Sequence, residues 1–332
     1  MDPIYIFKSG KLSRKANTIV FEEKTENARK KYIPVENLLE IKVFGEIDLN
    51  KRLLEFLAQK RIPIHFFNNY GHYVGSFYPY EFNSNGITVL EQSRYYLETP
   101  KRLELAQKII YGAVLNMLKL LKYYNQRGKN LDEQINRIDN LLQKISETDS
   151  IEALMAIEGN VRELYYDAID SIVSDDDFKI ILREKRPPTN YMNTLISFGN
   201  SLLYSTVLTE MYKTSLDPRI GFLHSTNFRR FSLNLDIAEI FKPVIVDRTI
   251  LSLVNKKKID KKHFTKISRG IHLNDAGRKI FIESYEKHLN TTIKHRKLKR
   301  NISYRTLIRH EAYKIIKHIL GEREFKPFVL EV

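Results

Sequence analysis

The sequence contains no cysteine. Disulfides, zinc–thiolate sites and thiol nucleophiles are therefore excluded together, and a reducing compartment suits such a chain. No apolar run reaches membrane-spanning length; LISFGNSLLYSTVL (195–208) is broken by Gly199 and Asn200. The opening residues, MDPIYIFKSGKL, lack the basic-then-apolar layout of a secretory signal. Neither a glycine-rich phosphate loop nor a Ser-His-Asp order with supporting context occurs. RHEAYKIIKH (309–318) has His-Glu but lysine four residues after the histidine, so it fails the zinc-protease pattern, and both its histidines read as surface groups. Together these absences leave a soluble, cytoplasmic protein with no membrane association as the expectation.

Acidic side chains are in deficit. Forty Asp and Glu face 55 Lys and Arg, giving a formal charge of +15 and a pI near 9.6. Such an excess implies a polyanionic partner, nucleic acid first and an anionic membrane surface second. The 332 residues, 42% of them apolar, suit one large domain or two modest ones with proper cores.

Two textures divide the chain. Up to about residue 80, short runs rich in Ile, Val, Phe and Tyr predict strands: 4–7, 17–23, 38–45, 62–68 and 73–79. One helix interrupts them at 48–60, with Asp48 as its cap, and NNYGHY (68–73) reads as a hairpin turn. EFNSNG (81–86) starts a linker. Beyond it Gly and Pro thin out and helical periodicity takes over, predicting helices near 87–98, 100–125, 130–145, 150–173, 189–213, 233–254, 274–289 and 303–320. The expected fold class is α+β: a β-rich domain over 1–80, a linker over 81–95 and a larger all-α catalytic, DNA-binding domain over 96–332.

Three helical-domain residues stand out. On a helix over 151–172, Leu154, Val161, Tyr165, Ala168 and Ile172 form an apolar stripe, and Glu158 falls inside it. A carboxylate there is neutral, paired or metal-bound, because an unpaired buried charge costs too much; Arg162 is the partner at i+4. Gly159 follows at once, where glycine costs about 1 kcal/mol relative to alanine, so another backbone or a substrate is expected to come close. On the helix from 233, Leu233, Ile237, Ile240, Phe241 and Val244 share one face, with Asp236 and Glu239 on its rim. His224 lies in a loop just ahead. One buried-face Glu, one loop His and one rim Glu or Asp make an oxygen–nitrogen site suited to Mg²⁺ or Mn²⁺. On a basic protein that points to metal-assisted phosphodiester chemistry.

These segments resemble a known family. HSTNFRRFSLNLDIAEIFKPVIVD (224–247) is similar to the His-then-SLxLDLxExFRP segment of the CRISPR-associated adaptation endonucleases, the integrases that insert new spacers. EGNVRELYYDAI (158–169) resembles their EGxxAxxYF helix, and TNYMNTLISFGNSLLY (189–204) their DxxNALLSFGYxLLY segment. SGKLSRKANTIVF, KYIPVENLLEIKVFGEIDL, IPIHFFNNYGHYVGSFYP and the C-terminal YRTLIRHEAYKIIKHILGEREFKPF also fit, in order, over nearly the whole chain.

The resemblance implies an N-terminal β domain joined flexibly to a helical catalytic domain. It implies Glu158, His224 and Glu239 as catalytic metal ligands, with Asp236 beside them as support or as an alternate ligand. Many members carry Asp where this chain has Glu239, and an acid where it has Asn190. The implied reaction is phosphoryl transfer on DNA, with a 3′-hydroxyl as nucleophile in integration and water in cleavage. Partners implied are double-stranded and branched DNA, the repeat array, a second copy of the chain through the β domain, and a small ferredoxin-like CRISPR-associated adaptation protein. Tyr165, Arg186 and Asn193 would face DNA. Arg229 and Arg230, and the basic run with Lys294, Arg296, Lys297, Lys299 and Arg300, would contact phosphates. The alternatives are a non-catalytic nucleic-acid-binding scaffold and an RNA-processing nuclease.

Overall fold

The computed structural model describes all residues except 26–29, 80–84, 185–186, 226–230, 268–269, 296–298 and 331–332. It divides into two compact units, Met1–Phe82 and Asn83–Val332.

The first unit carries β1 (Asp2–Ile6), β2 (Gly10–Lys15), β3 (Thr18–Glu23), β4 (Lys30–Pro34), β5 (Leu38–Val43), β6 (Ile47–Asp48), α1 (Lys51–Lys60), β7 (Ile64–Phe67) and β8 (Tyr73–Phe77). One sheet has the order β1-β5-β7-β8, the other β4-β3-β2-β6. β1, β5 and β7 run parallel, with Ile41 beside both Ile4 and Ile64, and β8 returns antiparallel. Leu53, Phe56 and Leu57 of α1 share a core with Leu12, Ile19, Ile33, Ile41, Val43 and Ile64. Asn50, not Asp48, caps α1, accepting from the Leu53 N–H at 3.0 Å; Asp48 lies in β6. β2 and β4 escaped the sequence reading because each buries few apolar side chains, Leu12 in β2 and Ile33 in β4, among lysines, leaving little apolar alternation to detect.

The second unit is helical: α2 (Gly86–Leu97), α3 (Thr99–Asn125), α4 (Asp132–Lys144), α5 (Ile151–Ile172), α6 (Tyr191–Met211), α7 (Leu233–Phe241), α8 (Arg248–Asn255), α9 (Asp275–Asn290) and α10 (Tyr304–Ile319). Two short antiparallel hairpins join them, β9 (Phe264–Ile267) with β10 (Gly270–Leu273), and β11 (Thr292–His295) with β12 (Arg300–Ser303). α2 matches the helix expected near 87–98, so residues 86–95 of the expected linker are helical: the Asn85 side chain accepts from the Ile87 N–H and starts the helix. Ser150 caps α5, and Asn190 caps α6 through the Asn193 N–H at 2.7 Å. An aspartate could do the same job at residue 190.

α3, 27 residues long, runs through the centre and packs on α4, α5 and α7. Its Asn116 is buried and donates to the carbonyls of Ile240, at 2.9 Å, and Phe328, at 3.0 Å; it accepts from the Leu330 N–H at 2.8 Å. The expected single helix over 233–254 is two helices, α7 and α8, joined by a wide π turn at Lys242–Asp247. Pro243 lies inside that turn and has no N–H to give, so the regular ladder cannot pass through it. Among the described residues no helix is long and apolar enough to cross a membrane.

Candidate active site

Glu158 on α5 and Glu239 on α7 converge on one side chain. The Arg162 guanidinium donates through Nε to Glu158 Oε1 and through an Nη to Glu239 Oε2. Lys242, one turn beyond Glu239, donates to its other oxygen and lies 5.2 Å from the Tyr204 ring centre. Glu239 is 4% exposed. Burial pushes its carboxyl up, but the charges of Arg162, Lys242 and His224 outweigh burial and hold it down at about 2. It is an anion in a cage of cations.

Asp236 holds His224 in place. It is fully buried and accepts backbone N–H bonds from Phe222 (2.6 Å), Leu223 (3.1 Å) and His224 (3.0 Å). Its Oδ1 also lies 2.7 Å from His224 Nδ1. A carboxylate only accepts, so Nδ1 carries a proton, and in the neutral ring the lone pair is on Nε2. Burial lowers the His224 pKa, yet the bond and charge of Asp236 win and raise it above the ordinary histidine value. Gly221 permits this arrangement: a Cβ there would lie 2.9 Å from Asp236 Oδ2 and from Ser232. The rim position expected for Asp236 and Glu239 is thus corrected. The 221–224 segment covers one acid and Arg162 with Lys242 covers the other.

The donors suit a hard divalent cation: two carboxylates and an imidazole whose orientation is set by a third carboxylate, that of Asp236. In the arrangement described, however, no three His, Cys, Asp or Glu side chains among the described residues stand together at ligand spacing. Arg162 supplies the positive charge between Glu158 and Glu239. The guanidinium thus neutralises the two carboxylates in this arrangement. Sequence reasoning treated Arg162 only as a helical i+4 partner of Glu158. Its second bond, to a helix 77 residues away, had no signal in the spacing. Lys242 did have one, the i+3 offset from Glu239.

Gly159 is exposed and a Cβ there would meet nothing within 4 Å. Among the described residues no second backbone approaches it, and the face beside Glu158 is open there. Tyr165 is corrected: it is fully buried, and its hydroxyl donates to Asp247 Oδ2 at 2.8 Å, so it has no face to offer a base. Burial pushes the Asp247 carboxyl up to about 6, against the lowering effect of the Tyr165 bond. Asn193 is likewise internal, donating to the Leu182 carbonyl at 2.7 Å. Lys294, Lys299 and Arg300 are exposed on the β11–β12 hairpin. Arg186, Arg229, Arg230, Arg296 and Lys297 lie outside the described residues. His318, expected at the surface, is buried and accepts from the Phe325 N–H at 3.1 Å.

The family model for CRISPR associated protein Cas1 matches residues 4–287. A CRISPR-associated endonuclease Cas1 of Thermotoga maritima is 54% identical over 325 residues, covering 98% of this chain and 99% of its own. A second, from Thermodesulfovibrio yellowstonii, is 53% identical over 326 residues, covering 98% of each. The solved structure of a Cas1 protein from Thermotoga maritima superposes with a TM-score of 0.87 at 52% identity, covering 98% of this chain and 99% of that one. A casposase bound to integration product shares the fold, with a TM-score of 0.90 at 19% identity over 100% of this chain and 95% of that one. The chain belongs to the Cas1 family of CRISPR-associated endonucleases.

Proposed function

We propose that the protein is a divalent-metal-dependent DNA endonuclease and integrase of CRISPR adaptation, with Glu158, Glu239 and His224 holding Mg²⁺ or Mn²⁺. The observation that carries this reading is the convergence of two carboxylates from separate helices on one guanidinium, beside a histidine fixed by Asp236. The chemistry such an ion supplies when bound is polarisation of the scissile phosphate and stabilisation of the displaced oxygen. Asp236 keeps the Nδ1 proton in place, which leaves Nε2 of the neutral ring as the nitrogen able to hold an ion. Lys242 neutralises Glu239 from its other oxygen and is itself set over the Tyr204 ring. With an ion held by Glu158 and Glu239, the fork of donors on Arg162 would be free to take a phosphate. The open face at Gly159 gives a bulky substrate room beside Glu158.

DNA is the substrate in this reading. The exposed Lys294, Lys299 and Arg300 serve the phosphate backbone, and Arg229 and Arg230 come five and six residues after His224 in the sequence. A homodimer through the β-rich unit, assembly with a small ferredoxin-like CRISPR-associated adaptation protein, and work in the cytoplasm belong to the same proposal. The test is strand transfer and cleavage on branched DNA with Mn²⁺, for the natural protein and for Glu158→Gln and His224→Ala. Both variants are expected to lose activity while keeping DNA affinity. Activity surviving in both would discard the metal assignment, and a preference for RNA would discard the substrate.

A further inference from the structure

Arg162 and Tyr165 lie three apart on α5 and so neighbour each other on its surface. Arg162 joins Glu158 to Glu239. Tyr165 donates to Asp247 Oδ2 at 2.8 Å, and Asp247 ends the π turn that Lys242 begins. Asp247 stands where α8 starts, yet its side chain caps no N–H group there. It turns to α5 instead and is buried.

The bond to Tyr165 does not by itself call for an acid. An asparagine oxygen would accept from the same hydroxyl without the cost of burying a charge. Asp247 also borders a small cavity, and the rest of its lining, Tyr166, Ile169, Met192, Ile196, Ile250 and Leu251, carries no charge. The charges that act on Asp247 come from the metal-site residues: Arg162 and Lys242 favour its ionised form, and Glu239 opposes it. With a pKa of about 6 it is an anion at neutral pH.

Glu158, Glu239, Asp236 and Asp247 set four negative charges against the two positive ones of Arg162 and Lys242. His224 counts as zero, because an imidazole that holds a metal is neutral. Among the described residues, this mutually interacting set therefore carries two net negative charges. One divalent ion brings it to zero. With a neutral side chain at residue 247, the same ion would leave an uncompensated positive charge in a largely buried place.

We propose that Asp247 is a positioning residue for the bound ion: a buried counter-charge, not a ligand, that lets Glu158 and Glu239 hold a doubly charged cation while Arg162 and Lys242 stay nearby. The proposal rests on the metal reading above.

The test is titration calorimetry of Mn²⁺ into the metal-free full chain and into Asp247→Asn. The natural protein is expected to bind, and the variant to bind about tenfold more weakly. Terbium(III), followed by luminescence sensitised by the tyrosines, should lose about thirtyfold, because the lost attraction scales with the charge of the ion. Asparagine keeps the Tyr165 bond and buries no charge, so the variant should melt no lower than the natural protein at neutral pH. A variant that binds Mn²⁺ as tightly as the natural protein overturns the proposal and leaves the metal reading standing. An equal loss for both ions overturns it too, since a misshapen site would weaken both alike, and so does a variant that melts lower. A natural protein that binds no Mn²⁺ would take the metal reading down as well.

Discussion

Arg162→Met removes the charge that joins Glu158 to Glu239 while keeping a long side chain in its place. Taking one partner from a buried ion pair costs about 3–5 kcal/mol. Two features reduce that here. Lys242 stays on the other oxygen of Glu239, and the Glu158 side chain is 24% exposed and can turn to water. A loss of about 2–3 kcal/mol is therefore expected for the metal-free protein, a fall of roughly 5–10 °C in Tm for a unit of this size. Metal binding should move the other way. The natural protein must break the guanidinium contacts to admit an ion, and the variant need not. Mn²⁺ should bind the variant about tenfold more tightly, about 1.4 kcal/mol. Thermal unfolding with and without Mn²⁺, together with titration calorimetry, reads both quantities on the same samples. A variant that is destabilised and also binds Mn²⁺ equally or more weakly would refute the view of Arg162 as a competing cation.

Asp247 has a folded-state pKa of about 6 against an ordinary 3.8. The folded protein therefore holds this proton longer than the unfolded chain, and stability falls by about 3 kcal/mol as pH rises from about 4 to 6. Asp247→Asn should remove that fall, seen as a widening gap between the two urea-denaturation profiles across this window; parallel profiles would refute it. Gly159→Leu should raise Tm, since helix propensity improves by up to about 1 kcal/mol and open space receives the side chain, yet strand cleavage should drop because the face beside Glu158 is filled. An unchanged cleavage rate would show that substrate does not pass there. Lys294→Ala and Arg300→Ala should each lower the slope of log affinity against log salt by about 1, measured by anisotropy on duplex DNA; an unchanged slope would take the hairpin out of the interface.

How much of this was written in the sequence differs from element to element. α5 was legible because Leu154, Val161, Tyr165, Ala168 and Ile172 recur at helical spacing, and all five are buried. The same spacing placed Glu158 next to Arg162. It could not show that Arg162 also reaches Glu239, because periodicity describes one helix and the second bond joins two. The burial of Asp236 was illegible for a related reason. A helical wheel shows which side faces the core, not that the 221–224 backbone folds over the rim and turns its N–H groups inward. Tyr165 was misplaced because a tyrosine in an apolar stripe looks alike whether its hydroxyl meets DNA or a buried aspartate. The β9–β10 and β11–β12 hairpins were missed because lysine-rich stretches such as KKHFTKI (261–267) show little alternation.

The amide of Asn116 has a practical meaning for anyone shortening this protein. One of its bonds ends on Ile240, next in line to Glu239, and two others end on Phe328 and Leu330. Trimming the polypeptide back past Phe328 would strand a buried amide and slacken the α7 backbone under the acid, although every residue that touches the reaction would still be there. Inactive short forms would then report on a lost anchor rather than on lost chemistry.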